Sequence, residues 1–222
     1  FFEVQTTNLN NINLLNLIRE SRAKLSPHWV IASLVCVLYG LLVGVPSGLN
    51  TYGELLSFLL AGPLQLGIAI YFLNILNDRP ASIENLIEGF KPLLKVILIY
   101  IIISIATVIG IVLLIIPGII IALGLSMTYY ILVENPELSI EESLKESWRL
   151  TNGYKMELFV LHLRFIPWYL LGLLCFGIGI FVVMPWHQLT QANYYNYLQQ
   201  QSTQYISGSL YCCCMESFLK DG

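Results

Sequence analysis

Val96–Val133 reads VILIYIIISIATVIGIVLLIIPGIIIALGLSMTYYILV, a run without a single Asp, Glu, Lys or Arg. A helix that crosses a hydrocarbon layer of about 30 Å needs roughly 20 apolar residues, each rising about 1.5 Å. The run is too long for one perpendicular crossing and the right length for two joined by a tight turn, which its glycines place between Gly110 and Gly118. Pro117 then falls in the first turn of the returning helix, where a missing N–H costs little.

The same criterion, carried outward, finds three further stretches. Trp29–Gly53 is free of charge, and its apolar part ends at the turn-like Pro46-Ser47-Gly48. Leu55–Asn77 is interrupted only by Gly62-Pro63, tolerated where neighbours satisfy the freed carbonyl. Leu158–Leu198 has room for two crossings, breaks at Gly177-Ile178-Gly179, has Pro185 near the start of its second helix, and carries one charge, Arg164. The expected fold is an all-α, polytopic membrane bundle of six transmembrane helices as three hairpins, at about 29–46, 55–77, 93–112, 115–133, 158–176 and 179–198. Residues 1–28 form an interfacial N-terminal segment, 29–198 the membrane domain and 199–222 a polar, Cys-containing tail that leaves the membrane at its Gln-rich start.

Composition agrees. Of 222 residues, 56% are hydrophobic and 11% charged, with a mean hydropathy of +0.71, whereas soluble domains carry roughly 25% charged residues. Too few charges remain to solvate a globular surface. A net charge of −3 and a pI near 5.6 exclude the basic balance of a nucleic-acid binder. Apart from Arg164, the eleven Lys and Arg precede the first crossing, flank the second-to-third and fourth-to-fifth connections, or follow the sixth. By the positive-inside rule, both termini and those two connections face the cytoplasm. A cleaved signal peptide over Arg19–Gly48 is the rival reading; there is no small-x-small cleavage site, and more crossings follow.

Short amphipathic segments precede the odd crossings. Ile83, Leu86, Ile87 and Phe90 fall at helical spacing before the third, and Ile140, Leu144 and Trp148 before the fifth. Ile12, Leu15 and Ile18 give a weaker stripe before the first. Such elbow helices are too charged to cross and suit the membrane surface. Ser82-Ile83-Glu84 and Ser139-Ile140-Glu141 open the two clearer elbows alike, and Ser139 with Glu142 has capping-box spacing. The unit of elbow, outgoing helix, turn and returning helix is thus written three times, as a true internal repeat or as the ordinary pattern of hairpin-built membrane proteins.

The residues available for chemistry are few. Arg164 lies about 10 Å into its helix, where a charge pairs, lines a wet cavity or snorkels to the headgroups; His162 is two residues away on another face. The last crossing is the most polar, and His187, Gln191 and Tyr194 or Tyr195 share one of its faces, directed into the bundle. They line a solute path or hydrogen-bond neighbouring helices. Asn74, Asn77 and Glu134 fall at the cytoplasmic boundary and need no special role. Trp29, Tyr129, Tyr130, Trp168 and Trp186 are placed as interfacial anchors. Cys36 and Cys175 sit alone inside crossings, and Cys212-Cys213-Cys214 has neither metal-ligand nor prenylation spacing, though acylation is open to it. No phosphate-binding, zinc-protease or nucleophile-elbow motif is present, so no metal, cofactor or enzyme activity is expected.

In order, Gly62-Pro63-Leu64, the Ile83–Phe90 segment, Ile115-Ile116-Pro117-Gly118-Ile119-Ile120, Glu146–Leu150, Leu158-Phe159, Phe165-Ile166-Pro167-Trp168 and Pro185–Tyr195 resemble the bacterial integral membrane proteins grouped as domain of unknown function 975. The resemblance covers roughly residues 10–198. It implies a six-span bacterial cytoplasmic-membrane protein with no established activity, in a family with a small residue where Arg164 stands and often Gly at Pro167. The expected role is a non-catalytic accessory, assembly or scaffold subunit whose partners are the bilayer, lipids and other membrane proteins. The alternative is a small permease or exporter with a path along the last hairpin.

Overall fold

The computed structural model describes residues 2–48, 51–174 and 177–220, with side chains described for 14–46, 48, 52–174, 177 and 179–203. Among these residues the secondary structure is helical, without strands: α1 (Phe2–Leu25), a 3-10 turn (Ser26–His28), α2 (Trp29–Ser47), α3 (Thr51–Leu76), α4 (Asn85–Glu88), α5 (Leu93–Leu113), α6 (Ile115–Leu125), α7 (Thr128–Glu134), α8 (Ile140–Leu150), α9 (Lys155–Leu174) and α10 (Ile178–Lys220). Among the described residues, five segments are helical, long and apolar enough to cross a membrane: Leu14–Pro46, Tyr52–Leu76, Leu93–Leu113, Ile115–Glu134 and Lys155–Leu174. The remaining expected crossing, 179–198, lies within α10, which runs on without a break to Lys220 through the expected tail. Cys175 and the Cys212–Cys214 side chains lie outside the described residues.

The layering is that of a protein whose outer solvent is hydrocarbon. In the apolar window of Tyr52–Leu76, 61% of residues are buried, against 17% for Leu93–Leu113. α3 therefore sits centrally, packed by α2, α4, α5, α7 and α10, while α5 turns rows of Ile and Val outward. α10 shares the centre, with Leu189, Thr190, Ala192, Tyr194, Tyr195 and Leu198 buried.

Chain neighbours meet at glycines. Leu114 alone, in extended conformation, separates α5 from α6. A Cβ on Gly110 would lie 2.7 Å from the Gly118 Cα, and one on Gly172 2.8 Å from the Gly179 carbonyl carbon. Backbones that close gain dispersion contact, which drives helix association where both sides of the exchange are apolar. Both turns fall where the sequence places them, and Pro117 is in the first turn of α6.

Other expectations need correction. The first elbow is a single turn, α4, and Ser82 does not cap it: the N-cap position is Glu84 without a side-chain bond, and the Asn85 Oδ1 accepts from the Ser82 N–H at 2.9 Å. The elbow also seats against the middle of α3 and not its end, because a Cβ on Gly67 would lie 2.6 Å from the Leu86 Cα and Gly89 touches the Pro63 carbonyl. On α1 the buried stripe is Leu14, Leu17, Ile18, Ser21 and Leu25; Leu15 is exposed, and the Ile12 side chain lies outside the described residues. The fourth crossing is broken at Ser126-Met127 into α6 and α7. The Gly124 carbonyl there accepts from the Ser147 Oγ at 2.9 Å and the Thr151 Oγ1 at 3.2 Å, both contributed by the α8 region. A break in a membrane helix is tolerable on this condition, that a neighbour supplies the missing donors.

α8 forms as expected, with its capping box intact: the Glu142 N–H donates to the Ser139 Oγ at 3.3 Å, and the Ser139 N–H to the Glu142 Oε2 at 2.8 Å. α3 ends in a Schellman motif, with the Arg79 N–H on the Asn74 carbonyl and the Asp78 N–H on the Ile75 carbonyl. Asp78 occupies its left-handed position at φ 54°. The Lys24 ammonium donates to the Leu76 carbonyl at 2.7 Å, meeting the negative end of the α3 dipole.

Candidate functional site

Of the five polar residues singled out on the last two long helices, His162 and His187 share one cluster and Tyr195 belongs to another. α10 buries polar and apolar side chains together, Thr190, Asn193, Tyr194 and Tyr195 beside Leu189, Ala192 and Leu198, and a buried hydroxyl or amide needs a partner within the protein. His187 is half-buried between α9 and α10. Its Nδ1 hydrogen-bonds the Tyr169 hydroxyl at 3.0 Å, the Phe165 ring lies 4.7 Å away and the His162 ring meets it edge-on at 5.0 Å. The His162 Nδ1 donates to the Leu158 carbonyl at 2.7 Å, which fixes the proton on that nitrogen in the neutral ring. The structure thus joins His162 to His187 and not to Arg164, which is half-buried on α9 with an interaction of its own.

Tyr195 belongs to a different cluster, about 12 Å further along α10. Its hydroxyl donates to the Glu134 Oε2 at 2.8 Å, its ring stacks on Tyr130 at 5.5 Å, and Gln199 bonds both Tyr195 and Glu134. Gln191 lies between the clusters, half-buried. Glu134, expected to have no special role, is the acceptor that ties α7 to α10. Asn77 likewise accepts from the Asn196 amide at 3.2 Å.

Sequence reasoning missed the seam between α1 and α10. The Trp186 Nε1 donates to the Ile18 carbonyl at 3.2 Å and the Asn193 amide to the Ser21 Oγ at 3.2 Å, while the Arg22 guanidinium lies 5.4 Å from the Trp186 ring centre. Trp186, Tyr129 and Tyr130 are therefore buried packing groups and not interfacial anchors; Trp168 remains exposed. Glu157, bonded by the Tyr194 hydroxyl at 3.0 Å, was also unmarked. The signal available was the alternation of Asn, Tyr and Trp at helical spacing on α10, which needs an unspecified partner helix to become a contact.

The elbow residues divide by exposure. Leu86 is buried and Phe90 half-buried, whereas Ile83 and Ile87 are exposed, Ile87 at 70%. Ile140 and Leu144 are half-buried against the core. Trp148 lies across Gly124 with the Lys155 ammonium 3.2 Å from its ring centre.

Three cavities border these groups. One of about 370 Å³ is lined by Glu20, Glu157, Tyr194, Tyr197 and neighbouring α1 residues. An open polar bowl of about 500 Å³ lies among Asn77, Arg79, Glu134, Asn196 and Gln199. The third, about 250 Å³, is an almost wholly apolar groove between α2, α3 and α4. Among the described residues, no three His, Cys, Asp or Glu side chains converge to hold a metal ion.

Residues 103–202 match the family model described as "Protein of unknown function (DUF975)". This is the family that the sequence resembles, and the matched part runs from within α5 into α10. The DUF975 segment holds both polar clusters and the whole of α8, while α1, α4 and the apolar groove lie before it. No curated protein and no solved structure matches the chain.

Proposed function

We propose that the chain is a non-catalytic integral membrane protein of the bacterial cytoplasmic membrane, acting as an accessory, assembly or scaffold subunit that binds lipids or other membrane proteins. It makes six crossings as three hairpins, with α10 supplying the sixth and both termini in the cytoplasm. The observation that carries this reading is the apolar groove at the α4 elbow, flanked by the exposed Ile83 and Ile87. Apolar side chains left exposed on a helix too short to cross suit a surface that receives another apolar body. The polar residues support the same role. His162 and His187 are packed by aromatic rings, and Tyr195 is tied to Glu134, so each cluster fastens helices together.

The permease reading keeps one observation in its favour: the His187 Nε2 and the Gln188 Oε1, on consecutive residues of α10, are buried without a hydrogen-bond partner among the described residues. Reconstitution into liposomes separates the two. A scaffold leaves the flux of small solutes at the protein-free baseline. Flux above baseline that falls on His187→Ala would overturn the scaffold reading in favour of a path along the last hairpin.

A further inference from the structure

We propose that the cavity where α1, α9 and α10 meet is a binding site for a small aliphatic amine in its protonated form. The site is independent of the scaffold reading, which is carried by a different part of the molecule. The cavity measures about 370 Å³, where about 10–15 Å³ suffices for one water, so it has room for a molecule and not only for a bare ion. α1 contributes Glu20 to its lining, α9 contributes Glu157, and α10 contributes Tyr194 and Tyr197, whose rings lie 5.8 Å apart at an angle of 38°. Leu14 and Leu17 of α1 add an apolar part. A concave site with an apolar wall and a few convergent polar groups is the form that small-molecule sites take.

The lining selects both the sign and the kind of ligand. Two carboxylates border the cavity and, among the described residues, no Lys, Arg or His does. Residues 1–18 and 165–219 contain no Lys or Arg at all. The basic groups of the flanking segments are engaged elsewhere: Arg22 at the Trp186 ring, Lys24 on the Leu76 carbonyl and Lys155 over the Trp148 ring. The Glu20 carboxylate is exposed and has no ion pair or hydrogen bond among the described residues. An anion entering here meets two like charges, whereas a cation is attracted by both carboxylates and by the faces of the tyrosine rings. The Tyr194 hydroxyl, donating to the Glu157 Oε2 at 3.0 Å, fixes one carboxylate in place. Asn16 and Gln201 at the rim add amide oxygens to the set of acceptors. Such a set suits the several N–H donors of a primary ammonium, and a quaternary ammonium has none to offer.

The test titrates butane-1,4-diamine into the full chain, purified in mild detergent and delipidated, by isothermal calorimetry at constant ionic strength. Saturable binding of one diamine per chain is expected, with no binding of butane-1,4-diol and weaker binding of tetramethylammonium. Glu20→Gln should weaken the diamine about two- to fivefold, the range of an exposed ion pair. Glu157→Gln, which removes a more enclosed charge, should weaken it about tenfold or more. Asn16→Trp, at an exposed rim position, should abolish binding by filling the cavity; Gln201→Trp is the second filling variant should the first lose its helical circular dichroism. Competition by phosphatidylethanolamine added to the micelles would assign the ammonium to a lipid headgroup, and indifference to it would assign a soluble amine. No diamine binding by the native chain, equal binding of the diol or of tetramethylammonium, or equal displacement by potassium ions would overturn the proposal. So would an affinity unmoved by both glutamate substitutions, or undiminished binding in a folded filling variant.

Discussion

A methyl group added at Gly44 meets no atom within 4 Å, whereas one added at Gly110 lies 2.7 Å from the Gly118 Cα. Both residues are helical glycines in apolar surroundings, so the difference is one of position and not of type. Gly110→Ala should cost about 1–3 kcal/mol, because the α5–α6 backbones must separate. Gly44→Ala should be neutral or gain up to about 1 kcal/mol, from the lower entropy of the unfolded helix. Thermal unfolding of the detergent-solubilised variants checks both, and a Gly110→Ala melting temperature at the native value would refute the backbone contact. At Asp78 the backbone angle φ decides the effect of substitution. A left-handed residue at 54° favours Gly, and the Lys24 pair lost with the carboxylate is weak, at 3.6 Å with Asp78 85% exposed. Asp78→Gly should therefore raise stability by about 0.5 kcal/mol, whereas Asp78→Val should lower it, because a β-branched residue resists positive φ. Equal melting temperatures for the two variants would contradict this account.

At the scale of elements, the two elbows show why the same letters give different structures. Ser139 and Glu142 satisfy each other's backbone N–H groups, an arrangement that depends only on residues three apart and was readable in the sequence. Ser82 opens a similar string, but the Asn85 side chain takes its N–H and the Gly67–Gly89 contacts hold the segment against α3, leaving one helical turn. Ser139→Ala should cost α8 about 1 kcal/mol, seen as lower amide-exchange protection over 140–150 with little change in α5. The pH dependence has a definite sign. Hydrogen bonds from Ser139 hold the Glu142 carboxyl below its ordinary range, so the cap is at full strength above an unfolded-state pKa of about 4.3 and is lost as pH falls through the lower folded value. Protection factors over α8 should fall on acidification in the native chain and respond less in Glu142→Gln; an identical response would exclude the cap as the cause.

For the whole molecule, the burial gradient from central α3 and α10 to peripheral α5 is that of a bundle bathed in hydrocarbon. The proposed six crossings set the compartments of its junctions. Cysteines introduced at Gly48 and Asp78 in a cysteine-free background should differ, with Gly48 reacting with an impermeant thiol reagent in intact cells and Asp78 only after lysis. Labelling of Asp78 from outside would reverse the orientation, and labelling of both from one side would break the hairpin between α2 and α3. The same scale explains the site residues. His162 was on the wrong face for Arg164 by helical geometry, and its true neighbour, His187, is 25 positions away, where periodicity within one helix carries no information.

The amino-acid order by itself determined the apolar, helical character of the long segments, the turns at Leu114 and Gly177, and the cap of α8, but neither the break at Ser126-Met127 nor the run of α10 on to Lys220. Each feature so determined depends on hydropathy or on bonds between residues a few positions apart, and neither needs a partner. Tertiary structure decided which polar groups meet: Trp186 with Ile18, Tyr195 with Glu134, and the Gly124 carbonyl with Ser147. It also decided that the α4 elbow lies against the middle of α3 and so encloses the apolar groove. In hydrocarbon a polar group must find its partner within the protein, and the identity of that partner follows from which helices pack side by side.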